Sequence, residues 1–360
     1  MNLQALFSTD KTDLIASLII FLTVVALTMS SRLFRLTSQT SLIFEEATEI
    51  TFTELSNLDD LETVLHENKV YFNSEELRWA ANLLGWKRFQ RGRYEFEGSY
   101  SYNSVLSKMT RGIQDPNSVV VLPGITLERF SQSVSDHFYF EPEDLEDLFS
   151  DSTFLAKKNL SSQELFGRML PETYLMYWTN SPKNVVNRIL QSFERKFTED
   201  MLNKASGMGY SLNEIITLAS IVEWEAKAEK EKSKISGLYW NRLKRGMRLQ
   251  ADPTVNYALG ERRRLLFEDY QFDHPYNTYV NDGLPPGPIT NPSLSTIKAT
   301  LNYEDHDYLY MVASPGGGHV FSESFREHQI ASEEWRKWLR EQYRIKRQNE
   351  AANQNSNENS

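Results

Sequence analysis

Residues 211–226 read SLNEIITLASIVEWEA, and this stretch decides how the C-terminal half of the chain is organised. Ser211 and Glu214 stand at the spacing of a capping box, in which each side chain takes up an orphan backbone N–H of a helix start. Ile215, Leu218, Ala219 and Val222 follow at helical intervals, so the spacing predicts an amphipathic helix with an apolar stripe. Glu223 falls one turn after Ala219, at the margin of that stripe. A carboxyl in such a place is partly desolvated, which raises its pKa, and a raised pKa suits a general acid working near neutral pH. Taken alone, Glu223 reads first as a salt-bridged or solvated helix residue, and only second as an acid. Glu225 and Glu229 read as solvated surface charges.

Downstream, residues 235–243 (ISGLYWNRL) continue as a second helix ending at Gly246, a residue suited to the left-handed position after a helix. Asp252-Pro253 has the form of a helix start, with Asp252 as N-cap and Pro253 at N1. The alternative reading of Asp252 is a second acid. Gln250, Asn277, Thr278 and Tyr279 form a polar set suited either to glycan hydroxyls and N-acetyl groups or to turn hydrogen bonds. Asn241 and Arg242 are placed to brace the helix pair, Pro285-Pro286-Gly287 to make a rigid loop wall. His319, in GGHVFS (317–322), reads as a structural or sugar-contacting residue rather than a general base.

These stretches, in order LASIVEWEA, NRLKRGMRLQADPTV, YNTY, GLPPGPITNPS, DYLYMVAS and GGHVFS, run from Leu218 to Ser322. They resemble the endolytic murein transglycosylase, or YceG-like, family, and the likeness extends over most of the chain beyond its N-terminal apolar segment. The resemblance implies that the first Glu of Ile221-Val222-Glu223 is the catalytic residue, working without metal or cofactor. Glu223 would protonate the glycosidic oxygen between N-acetylmuramic acid and N-acetylglucosamine. It would then serve as base while the muramoyl 6-hydroxyl attacks its own C1, leaving a 1,6-anhydro end. Gln250, Asp252, Asn277, Thr278, Tyr279 and His319 are the expected substrate-binding residues. The sequence departs from the family pattern at Ala226, where Thr is common, at the bulky Trp224, and at Ser314-Pro315. Two other readings stay open: a muramidase-type hydrolase that uses water, and a non-catalytic scaffold that grips the cell wall.

The expected fold class is α+β: an N-terminal transmembrane helix, a small LysM-like β-α-α-β subdomain and a mixed α+β YceG-like catalytic domain. Leu14–Met29 holds sixteen residues without a charge, close to the roughly 17–25 of a spanning helix. It reads as a membrane anchor over 14–31, with a cleaved signal peptide or a buried helix as alternatives. Lys11 before it, against Arg32 and Arg35 after it, weakly favours a cytoplasmic C-terminal side. The resemblance outweighs that margin. It implies residues 1–13 in the cytoplasm and the catalytic domain outside the cytoplasmic membrane, acting on peptidoglycan strands beside peptidoglycan synthases.

The remaining boundaries are a polar linker at 32–50, the LysM-like subdomain at 51–122, a connecting region at 123–204 with one long helix over 183–203, a catalytic core at 205–330, a C-terminal helix at 331–347 and a disordered polar tail at 348–360. Asp and Glu number 49 against 39 Lys and Arg, a net charge of −10 that argues against a nucleic-acid partner. With no cysteine in the chain, disulfides, thiolate metal sites and thiol nucleophiles are excluded.

Overall fold

Helix α1 (Lys11–Thr37) carries the apolar N-terminal stretch and has no buried residue. Its 27 residues rise about 40 Å at 1.5 Å each, enough to cross a bilayer. The hydroxyls of Thr23 and Thr28 donate to the carbonyls of Ile19 and Val24 one turn back, so neither hydroxyl hydrogen is left unpaired. The computed structural model describes residues 11–226 and 228–358; residues 1–10 of the expected cytoplasmic segment and the last two of the expected tail lie outside the described residues.

The chain divides into two units. The first holds residues 11–117 and Leu175–Thr179. After α1 come β1 (Leu42–Phe52), β2 (Ser56–Asn57), α2 (Leu58–Glu67), β3 (Tyr71–Phe72), α3 (Ser74–Leu84), β4 (Arg88–Phe89), β5 (Gly92–Tyr100) and α4 (Tyr102–Thr110). The 32–50 linker is corrected: residues 32–37 end α1 and residues 42–50 belong to β1, the central strand of the antiparallel sheet β3-β1-β5. Leu42, Phe44, Ile50 and Phe52 are buried against Tyr94 and Phe96, and the Phe44 and Phe96 rings stack at 5.0 Å. Opposite Phe44 lies Gly98 and opposite Thr48 lies Phe96, so the strand bulges between these pairs. That exposed, charged middle hides the alternation from a composition reading. Asn73 caps α3 by accepting from the Glu76 N–H. Strands β2 and β4 pair antiparallel, and between them the chain runs α2, β3, α3.

The second unit holds Ser118–Tyr174 and 180–358, so the expected connecting region and catalytic core fold as one body. Strands β6 (Asn117–Val120) and β7 (Thr173–Met176) pair. The helices are α5 (Leu127–Ser135), α6 (Pro142–Ser150), α7 (Ser152–Lys158), α8 (Ser162–Phe166), α9 (Pro182–Lys196), α10 (Glu199–Gly207), α11 (Leu212–Glu225), α12 (Lys232–Lys244), α13 (Asp252–Leu259) and α14 (Leu294–Leu301). The hairpin β8 (Tyr310–Ala313) with β9 (His319–Ser322) and the terminal α15 (Phe325–Glu358) complete it.

Two expectations change here. The helix expected over 183–203 is two, because Phe197 is extended and Thr198 caps α10 by accepting from the Met201 N–H. Helix α15 starts at Phe325 and extends through most of the stretch expected to be disordered. Once a helix exists, adding a residue is cheap, and Glu, Gln and Ala there are good helix formers.

The capping box at Ser211 and Glu214 is present, and α11 is the core of this unit. Every residue from Ile215 to Val222 is buried, packed by α12, α13 and α14. Trp240 of α12 is fully buried, donating from Nε1 to the Thr300 carbonyl.

Candidate active site

Two glutamates leave the C-terminal turn of α11 two residues apart. Residues at i and i+2 are separated by about 200° around a helix, so Glu223 and Glu225 address opposite neighbours. Their environments set their chemistry.

Glu223 is consumed by structure. Its Oε2 accepts from the backbone N–H of Ser293 at 2.9 Å, from Ser293 Oγ at 2.9 Å and from Thr296 Oγ1. Ser293 is the N-cap of α14, so the carboxylate sits on a helix N-terminus, where unpaired N–H groups and the helix dipole favour negative charge. Its Oε1 faces Lys232 Nζ at 3.4 Å, and both side chains are below 10% exposed. Lys232 in turn reaches Glu229 at 2.7 Å. Next to it, Trp224 Nε1 donates to the Gly124 carbonyl, and Arg262 lies 5.0 Å over the indole.

Glu225, read from sequence as a surface charge, lines a cavity of about 280 Å³ instead, near the lower end of ligand-site volumes of about 300–1,000 Å³. Leu238, Tyr239 and Arg242 of α12, Gln250 and Asp252 at the start of α13, Tyr279, the β8 residues 311–313 and His319 of β9 complete the lining. Tyr239 donates its hydroxyl to Glu225 Oε1 at 3.1 Å. Burial pushes the Glu225 carboxyl up to about 7, with the nearby Asp252 charge adding to the rise. At neutral pH this carboxyl can hold a proton and give it up, the state required of a general acid. Arg242 is fixed by donating to the carbonyls of Leu309 and Leu249, so it braces the hairpin against α12 and brings a positive charge to the wall.

The expected binding residues divide. Gln250, Asp252, Tyr279 and His319 line the cavity. Asp252 is the first residue of α13, not its N-cap, and its Oδ1 accepts from the Tyr279 hydroxyl at 2.6 Å. Gln250 has φ +47°, a left-handed conformation uncommon outside glycine and often found at functional sites.

Asn277 and Thr278, also expected to bind substrate, make their hydrogen bonds within the fold. Asn277 is fully buried, donating to the carbonyls of Tyr270 and Phe272 and accepting from the Tyr279 N–H. Thr278 accepts from the Gln250 N–H through its carbonyl and from the Ala251 N–H through Oγ1. It therefore pins the turn that presents Gln250 and Asp252, and its polar atoms are spent before a ligand arrives.

His319 is held by Glu231, which the sequence reading did not single out. The His319 backbone N–H donates to Glu231 Oε1 at 2.9 Å, and Nδ1 lies 3.1 Å from Oε2. Burial pushes the Glu231 carboxyl up, but these two contacts outweigh it and hold the carboxyl below its usual value.

The raised carboxyl of Glu225 has a consequence for stability. A glutamate at its ordinary 4.5 when unfolded and about 7 when folded binds its proton more tightly in the native state. Its stabilising contribution is complete below pH 4.5 and is lost as pH rises through 7. Glu225→Gln removes that loss. Melting curves between pH 5 and 8 are expected to place the variant progressively above the wild type in Tm as pH rises; parallel curves would contradict the burial described here.

An α+β unit that holds a protonatable carboxyl on a buried helix beside an aspartate, two tyrosines and a histidine has the form of an acid–base site for polar substrates. The sequence profile of the YceG-like family matches residues 50–334, and the chain belongs to that family. It is 28% identical over 300 residues to the endolytic murein transglycosylase of Bacillus subtilis, covering 78% of this chain and 82% of that one. It is 26% identical to the endolytic murein transglycosylase of Streptococcus pneumoniae serotype 2, over 74% of this chain. The alignment spans 54% of that longer relative. A crystal structure of a yceG-like protein from Listeria monocytogenes matches with a TM-score of 0.56 and 28% identity, over 79% of this chain and 98% of that one.

Proposed function

We infer that this chain is a lytic transglycosylase that cuts the β-1,4 bond between N-acetylmuramic acid and N-acetylglucosamine within glycan strands, with Glu225 as the proton donor. The observation that carries this reading is the Glu225 carboxyl, held near pKa 7 in a cavity lined by hydrogen-bonding groups. The names of the Bacillus and Streptococcus relatives support the substrate and the reaction class. Glu225 takes the role that the family resemblance assigned to Glu223, because Glu223 already caps α14 and pairs with Lys232.

Protonation of the glycosidic oxygen by Glu225 lets the bond to C1 break as positive charge develops on the muramoyl ring. The Asp252 side chain lies in the same cavity, on hand to face that charge. The muramoyl 6-hydroxyl then closes on C1. An internal nucleophile has a very high effective concentration, so no water need be positioned.

Helix α1 serves as a single-pass anchor in this reading, with both folded units on the outer side of the cytoplasmic membrane, where nascent strands and their synthases are found. Glycan binding by the small first unit, by analogy with LysM domains, belongs to the same proposal.

One observation favours a second reading. Asp252 gives the cavity a second carboxylate, as hydrolases that activate water require. Mass analysis of purified glycan strands incubated with the full-length protein separates the two. New 1,6-anhydro ends are expected. Reducing ends would make the enzyme a muramidase, and intact strands would leave only a wall-binding role.

A further inference from the structure

A single carboxyl can run both proton transfers of this reaction if one oxygen gives a proton while the other receives one. In Glu225, Oε1 already accepts from the Tyr239 hydroxyl at 3.1 Å. A second acceptor in the same cavity would let the 6-hydroxyl lose its proton while Glu225 is still giving its own.

His319 is built for it. Glu231 accepts from the residue twice, from the backbone N–H at 2.9 Å and from Nδ1 at 3.1 Å. A carboxylate has no proton to offer, so the ring must carry a hydrogen on Nδ1, and the tautomer with that one hydrogen has its lone pair on Nε2. The same logic operates where a buried carboxylate orients a catalytic histidine. The clasp also depends on the backbone of the Gly316-Gly317-Gly318 turn. Gly318 has φ +73°, and a Cβ there would lie 2.3 Å from Glu231 Oε1, so only glycine lets the carboxylate close on the next residue. His319 lines the cavity with Glu225. The charged and titratable groups around it are Glu231 from the turn before α12, and Glu225, Tyr239, Arg242, Asp252 and Tyr279 across the cavity.

We propose that the two proton transfers are divided: Glu225 donates to the leaving glycosidic oxygen, and His319, oriented by Glu231, takes the proton from the muramoyl 6-hydroxyl. In that step the C1–O4 bond breaks and the O6–C1 bond forms. The leaving sugar departs with the Glu225 proton, and His319 becomes an imidazolium beside the Glu231 carboxylate. Passage of that proton through water to Glu225 restores the starting state, so no proton is gained or lost overall. His319 is then a catalytic residue and Glu231 a positioning residue.

The proposal rests on the transglycosylase reading, and its test keeps the two apart. Anhydro-end formation is measured against pH with full-length wild type, H319A, E231Q and E231D. The wild type must form anhydro ends; if it forms reducing ends or does not cut, the underlying reading fails and this proposal with it. If it does, H319A is expected to lose about 100-fold in kcat with KM little changed and to lose the acidic limb of its profile. Added imidazole is expected to restore part of that rate. E231Q is expected to lose about tenfold, with E231D recovering part of it, and melting curves check that each variant is folded. A raised KM with unchanged kcat in H319A, or an intact acidic limb, would make His319 a sugar contact only. If Asp252→Asn removes that limb instead, Asp252 is the base and the proposal is overturned.

Discussion

Glu225→Gln is expected to reduce strand cleavage about 1,000-fold while leaving the fold and glycan binding intact. The amide keeps the shape of the carboxyl and an oxygen to accept from Tyr239, whose hydroxyl lies 3.1 Å away. What it loses is the dissociable proton. General acid catalysis contributes roughly 10²–10⁴-fold, and a thousandfold loss corresponds to about 4 kcal/mol of transition-state stabilisation. The loss should fall on kcat, because the cavity wall of Gln250, Asp252, Tyr279 and His319 still meets the substrate. The check is the rate of new glycan ends, with strand binding measured separately. A variant that cuts within a few-fold of the wild type would remove Glu225 from the chemistry.

That expectation differs from the reading of α11 by periodicity, and the reason is physical. Stripe arguments assume a helix with a wet face and a dry face. Helix α11 is dry on every side from Ile215 to Val222, so the apolar pattern carried no information about direction. The spacing of two residues says only that the two carboxyls leave the helix on opposite faces. Which one meets a cavity depends on partners far along the chain. Ser293 lies 70 residues beyond Glu223, and Glu225 shares its cavity with His319.

The motif order was legible because each motif sits where the chain enters the site. Gln250, Asp252, Tyr279 and His319 arrive from three segments and converge. Asn277 and Thr278 belong to the same motif yet build the turn, and only their burial separates the roles. Glu231 was invisible because its work is done on a backbone N–H brought to it by a glycine turn. Among the elements, α11 was legible from its capping box and apolar spacing. Strand β1 was not, because its bulge places charged residues in the middle of an otherwise alternating strand.

Glu223 carries the complementary prediction, a loss of stability with chemistry retained. Glu223→Ala leaves the Ser293 N–H and hydroxyl and the Thr296 hydroxyl without their acceptor. It also leaves Lys232 as a cation whose side chain is 7% exposed. Glu229 stays within 2.7 Å of that ammonium, but it is solvent-facing and compensates poorly. Removing one partner of a buried ion pair costs about 3–5 kcal/mol, which for a domain of this size lowers Tm by about 10 °C or more. Pairing Glu223→Gln with Lys232→Met removes both charges and keeps an acceptor for the α14 cap, so the double variant should recover most of the loss. Its cleavage rate per folded molecule is expected within a few-fold of the wild type, because neither residue lines the cavity. Thermal melts of the three proteins, with rates taken well below each melting point, test both halves. A Glu223→Ala protein that melts like the wild type yet cuts nothing would reverse the assignment, making Glu223 the acid and Glu225 its neighbour.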